Sequence, residues 1–179
     1  MDELQTIVRE IEGVIDKIDR DEMTVVSGLI RKESRIFVSG EGRSGLVAKG
    51  FAMRLMHLGY TSYVVGETIT PSLKKDDVFI AVSGSGSSAH VVVDTQKALE
   101  KGSTIIAVTS KKESKVASMA NVILTVPGTV KGDQGASRGS VQLLSSLFDQ
   151  SLHIVLDALC LMISRRDHVQ NDSALKLHW

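Results

Sequence analysis

An α/β fold with a five-stranded parallel sheet is predicted by three features of the chain. Five short apolar runs recur along it, helix-like stretches separate most of them, and each run is apolar almost throughout. Strands of that kind are buried on both faces, and the helices in their connections supply the cover. The 179 residues suffice for one compact domain with a sizeable core. A single domain over 1–179, without internal repeats, is therefore expected.

Each element follows from local pattern. Leu4, Ile7, Val8, Ile11, Val14, Ile15 and Ile18 recur at helical spacing. A second, short helix carries Met23, Val26, Leu29 and Ile30, and Arg35 to Ser39 reads as the first strand. Gly40 to Gly45 reads as a glycine-rich turn before a helix over Leu46 to Leu58. Ser62 to Val65 and Val78 to Val82 are the next strands, and a helix over Ala89 to Leu99 follows. Thr104 to Val108, a short helix near Ser114 to Met119 and Val122 to Val126 complete the alternation. Pro127 to Ser140, rich in glycine and polar residues, predicts a mobile loop near the site. The last helix is expected over roughly Val141 to Ser164, apolar on so many faces that a second subunit is needed to cover it.

Composition narrows the function. Lys+Arg and Asp+Glu are both 21, so the formal net charge is zero and no basic excess points to nucleic acid or to an anionic membrane. No signal or membrane-spanning segment is expected, since Asp149, His153 and Asp157 interrupt the one long apolar stretch. The single Cys160 lies among Leu159, Leu161 and Met162, as a core thiol of a cytoplasmic protein would.

The chemistry concentrates in two strand-to-helix loops. Ser83 to Ser88 reads Ser-Gly-Ser-Gly-Ser-Ser directly after an apolar strand. Glycines permit a tight turn and a close approach, while Ser83, Ser85, Ser87 and Ser88 supply hydroxyls beside a helix N-terminus. This is a phosphate cradle without the lysine of a Walker loop or the spacing of a dinucleotide fingerprint. Ser39, Gly42, Arg43 and Ser44 form a similar loop after the first strand, and Arg43 adds a guanidinium fork suited to a phosphate or a sugar hydroxyl. In a parallel sheet both loops lie at the strands' carboxyl ends, where ligands bind. Three titratable residues are candidates for proton transfer: His57 at a helix end, Glu67 after the second strand and Asp149 in the last helix.

These residues also carry a resemblance. Gly42-Arg-Ser-Gly45, Phe51-Ala-Met-Arg-Leu-Met-His-Leu-Gly59, Val65-Gly-Glu-Thr-Ile-Thr-Pro71 and Ser83-Gly-Ser-Gly86 resemble the 6-phospho-3-hexuloisomerases of the sugar isomerase (SIS) domain family. The likeness runs over nearly the whole chain and is densest from Ser39 to Gly86. It implies a three-layer αβα sandwich of flavodoxin-like kind. It also implies interconversion of 3-hexulose 6-phosphate and fructose 6-phosphate, in the ribulose monophosphate route of formaldehyde fixation. By the same resemblance the protein is a homotetramer whose sites neighbouring subunits complete. Asp149 falls where the family carries its proposed base, and His57 where it carries a proposed catalytic histidine. Moving a carbonyl by one carbon through an enediol needs a base and an acid, and no metal or redox cofactor.

Four departures accompany the likeness. Ser87 and Ser88 stand where the family usually has Glu or Arg and then Thr. Asp149 replaces Glu, Gln142 to Ser146 replaces Gln-Pro-Met-Gly-Ser, and Ser173 to Trp179 replaces a His-Ala-Asn-Leu ending. They bear on substrate and catalytic power, not on fold. Two further classes stay open: a sugar-phosphate-binding regulatory module and a nucleotide-binding α/β protein. The first usually comes fused to a DNA-binding domain, for which the region before the first strand is too short. The second lacks its loop.

Overall fold

The computed structural model describes residues 2–179. Two helices open the chain, α1 (Glu3–Ile15) and α2 (Arg20–Leu29), and β1 (Arg35–Gly40), α3 (Gly42–His57) and β2 (Thr61–Val64) follow. Then come β3 (Val78–Val82), α4 (Ala89–Glu100), β4 (Thr104–Thr109), the short α5 (Lys115–Ser118) and β5 (Val122–Thr125). A 20-residue span over 126–145 holds one 3-10 turn, Gly135–Ser137, before α6 (Ser146–Arg166) and α7 (Asn171–Leu175).

The five strands form one parallel sheet in the order β2-β1-β3-β4-β5. The strands read as continuous apolar runs, yet their side chains divide by parity into two cores. Ile36, Val38, Ile80, Val82, Ile106, Val108 and Leu124 face a core shared with α1, α2, α3 and α6. Phe37, Phe79, Ala81, Ile105 and Ala107 face a second core, closed by Val91 and Ala98 of α4 and Val116 of α5. The three-layer αβα sandwich follows from burial on both faces of the sheet.

The order of the strands places the site. From β1 the chain moves outward to β2 through α3, then returns across β1 to start β3 and moves the other way through α4. The loops leaving β1 and β3 therefore feed helices on opposite faces, and a crevice opens between them at the strands' carboxyl ends.

Two helix boundaries differ from the sequence expectation, both at this crevice. The helix α3 starts at Gly42, not Leu46, so the glycine-rich segment is its first turn. Glycine is required there for contact, because a Cβ on Gly45 would lie 2.6 Å from the Gly40 carbonyl oxygen. Backbone cannot yield as a flexible side chain does, and overpacking costs about 1–3 kcal/mol. Gly45→Ala is expected to lower the unfolding free energy by that much, read from denaturant titration.

The helix α6 starts at Ser146, not near Val141. Leu144 has a left-handed backbone (φ 53) that ends any helical path through it, and Val141, Leu143 and Leu144 are exposed. The expectation that a second subunit must cover α6 is also corrected in part. Leu147, Phe148, Leu152, Val155, Leu156, Leu159 and Ile163 are all buried within one protomer, leaving Ile154 and Leu161 exposed. Cys160 is a core thiol as expected, and burial pushes its pKa up to about 12. By length and composition α6 could cross a membrane, but it packs into the fold with most of its apolar residues in the first core.

Candidate active site

The crevice is a cavity of about 630 Å³. One wall is the first turn of α3, Gly42, Arg43 and Ser44; a second is the cradle before α4, with Ser85, Ser87 and Ser88; the third is the start of α6, with Ser145 and Asp149. The N-cap residues of α3, α4 and α6 are Glu41, Ser88 and Ser145, and none of them caps its helix through its side chain. By contrast, Asp2, Asp19 and Ser114 cap α1, α2 and α5. Three helices thus open on one cavity with backbone N–H groups not taken by caps, an arrangement that attracts an anion.

The cradle is held by its own hydroxyls. Ser85 Oγ accepts from the Ser87 N–H at 3.3 Å and from the Ser87 hydroxyl at 3.0 Å, so the Ser85 proton is free to donate outward. Ser83 is buried, and its Oγ lies 3.0 Å from Ser88 Oγ, supporting Ser88 from behind. Gly86 takes a left-handed turn (φ +63), where a Cβ would stand 2.0 Å from Ser114 Oγ. Only glycine lets the loop pass so close to α5.

Opposite the cradle, Asp149 is 4% exposed. The Ser44 hydroxyl donates to its Oδ1 at 2.6 Å, and Arg43 Nε stands 3.8 Å from Oδ2. Arg43 is steadied by donating through Nη1 to Ser146 Oγ at 2.8 Å. Burial raises the Asp149 pKa above the ordinary carboxylate range, while the Ser44 hydrogen bond and the Arg43 charge pull it partly back. A carboxylate so poised can exchange protons nearer neutrality than a surface aspartate. Ser44→Ala removes a hydrogen bond that favours the ionised form, so the pKa rises further. The acid limb of kcat/KM is expected to move to higher pH in this variant, and an unmoved pH–rate profile would contradict the assignment.

The SIS domain profile matches residues 29–154, most of the chain. The chain belongs to the SIS domain family. A 3-hexulose-6-phosphate isomerase from Bacillus subtilis is 33% identical to this SIS protein over 96% of the chain and 93% of its own length. Another of that name, from Mycobacterium gastri, is 37% identical over 87% of this chain and 78% of its own. Among solved structures, a hypothetical protein from Methanococcus jannaschii matches at TM-score 0.83 and 30% identity, covering 100% of this chain and 98% of that one. Its structure is described as inferring a molecular function of 3-hexulose-6-phosphate isomerase.

Within the SIS fold, the site residues expected from sequence separate into three groups. Gly42, Arg43, Ser44, Ser85, Ser87, Ser88 and Asp149 meet at the cavity. Ser39 and Ser83 lie behind it: Ser39 donates to Asp94 Oδ2 of α4 at 2.9 Å, tying that helix to the end of β1. Ser44, expected to hold phosphate, spends its proton on Asp149 instead.

His57 and Glu67 are not brought to the cavity within one protomer. His57 ends α3, thirteen residues beyond Ser44, which is about 20 Å along the helix. It is buried against His178, ring centroids 5.0 Å apart, and burial first, then His178 and Arg54, lower its pKa. Glu67 is exposed in the turn after the edge strand β2. Sequence reasoning missed Val130, Lys131, Leu144 and Ser145, which line the cavity from the 126–145 span and its junction with α6. The irregular, glycine-rich composition of that span flagged a loop near the site but singled out no residue.

Proposed function

We propose that this SIS protein is a 3-hexulose-6-phosphate isomerase, interconverting that sugar and fructose 6-phosphate. The observation that carries the reading is a buried Asp149, held by Ser44 and Arg43, facing a serine cradle across one cavity. The names borne by its relatives supply the substrate.

The phosphate binds the cradle hydroxyls and the open helix N-termini, leaving the carbon chain to extend toward Asp149. Asp149 removes the proton from C2 of the 3-ketose as the C3 carbonyl takes up the electron pair and a proton. The resulting 2,3-enediol loses its O2 proton while C3 gains one, and the carbonyl reappears at C2. Hydrogen and electrons balance within the sugar. Burial of the base keeps bulk water from competing for it.

The test is incubation with fructose 6-phosphate in deuterated water. A 3-ketose should form, with deuterium entering the exchanged carbon. If neither occurs while the sugar phosphate still binds, the protein is a regulatory or transport-side binder of sugar phosphates. The reading carries a cytoplasmic location and a homotetramer built from dimers with it. Leu4 and Val8 of α1, Met53 and Met56 of α3, and Ile154 and Leu161 of α6 are exposed apolar side chains that such contacts would cover. In a tetramer a neighbour's His57 would serve the site only if His178 moved off its ring. Sedimentation is expected to show a tetramer at micromolar concentration, and a monomer there would overturn this assembly.

A further inference from the structure

We propose that Lys131 is the electrophile of the site: its ammonium holds the oxygen on which negative charge develops while Asp149 moves the carbon-bound proton. The inference rests on the isomerase reading and names a residue that no motif singles out.

Two cationic side chains line the cavity, Arg43 and Lys131. Arg43 is committed to Ser146 and Asp149. Lys131 makes no ion pair among the described residues. It is therefore the cation available to a ligand.

Its position is fixed from both sides, although its side chain is exposed and its span is irregular. Val130, just before it, is 2% exposed. It packs over the cradle so closely that a Cβ on Gly84 would lie 2.8 Å from Val130 Cγ1. The Val130 N–H donates to Asp133 Oδ2 at 3.0 Å, and Lys111 Nζ holds the other oxygen of that carboxylate at 2.6 Å. The N–H of Lys131 itself donates to Ser145 Oγ at 3.0 Å, and the Ser145 carbonyl accepts the Asp149 N–H at 2.9 Å. Lys131 thus bridges the cradle, where the phosphate sits, and the turn that carries the base.

The reacting carbons must occupy that interval. When Asp149 takes the C2 proton, the electron pair moves onto O3 and makes an enediolate. A cation carried on that backbone and reaching that oxygen acts more on the transition state than on the neutral ketose. His57, the other candidate for this role, is about 20 Å from Ser44 along α3 in the same protomer.

The test compares Lys131→Met, which keeps most of the aliphatic stem and removes the charge, with Lys131→Arg. Loss of one oxyanion donor typically costs about 10²–10³-fold in kcat. Lys131→Met should lose that much kcat on fructose 6-phosphate, with its melting temperature and competitive inhibition by inorganic phosphate unchanged. Lys131→Arg should recover part of the rate. A phosphorylated hydroxamate mimic of the enediolate should bind Lys131→Met more weakly in calorimetry, in proportion to the lost rate. Wild-type kcat in Lys131→Met overturns the proposal. So does a defect shared equally by phosphate, which would make Lys131 a phosphate anchor. If the unaltered protein does not isomerise the sugar, the isomerase reading falls, and the hydroxamate and phosphate affinities still decide whether Lys131 acts at the enediolate.

Discussion

Asp149→Asn is expected to abolish isomerisation while leaving the fold and phosphate binding intact. The substitution keeps the volume of the side chain and an oxygen to accept the Ser44 hydrogen bond, so the packing at the start of α6 should survive. It removes the one carboxylate that lines the cavity from α6, and with it the basic group. A positioned general base contributes typically about 10²–10⁴-fold, and among the described residues no other buried carboxylate lines the cavity to take over. Turnover of fructose 6-phosphate should fall by at least that range, while inorganic phosphate remains a ligand with unaltered affinity. Asp149→Glu extends the carboxylate by one methylene and should retain activity or raise it, since small misplacements of a reacting group are costly. An Asn variant that keeps most of its rate would place the base elsewhere, with Glu41, the other carboxylate lining the cavity, the next residue to test.

The sheet was legible in the sequence because its strands are buried on both faces, and such strands announce themselves as unbroken apolar runs between turn residues. All five fall within a residue or so of where those runs place them. The errors lie where chain geometry serves the site. The first turn of α3 looks like a loop because two glycines and a serine are poor helix formers. They are there because Gly45 must touch Gly40 and because the N–H groups of that turn face the cavity. The reverse error occurred at α6, where Val141, Leu143 and Leu144 look helical but are exposed. The left-handed backbone of Leu144 cannot be read from its side chain.

The site was legible in part for the same reason. Hydroxyls and glycines clustered after strands reveal a cradle, but not the partner that each hydroxyl chooses. Ser39 turns to Asp94 and Ser44 to Asp149, pairs separated by 55 and 105 residues in the chain. Lys131 had no signal at all, since a lone lysine in a polar loop matches a solvated surface. What places it is Val130 packed on Gly84 and Ser145 accepting its N–H, contacts that exist only after folding.

Ser85→Ala combined with Ser88→Ala is expected to cost most of the affinity for sugar phosphate. Both side chains line the cavity, and Ser85 has its acceptor positions occupied by Ser87, which leaves its proton for the ligand. Hydrogen bonds to a charged group contribute about 1.5–3 kcal/mol each. Losing two should weaken binding by about 10²–10⁴-fold, since each 1.4 kcal/mol is about tenfold. Ser83→Ala is the informative contrast. Its hydroxyl lies behind Ser88 and does not line the cavity, so its loss leaves Ser88 in place but less firmly oriented. The single Ser83 variant should therefore bind fructose 6-phosphate more weakly than the parent but more tightly than Ser88→Ala. Calorimetric titration of the three variants at one pH decides the point. Equal affinity in the double variant and the parent would remove the phosphate from this loop. It would then have to sit at the Arg43 side of the cavity, where the α3 and α6 N-termini are the remaining anion-binding elements.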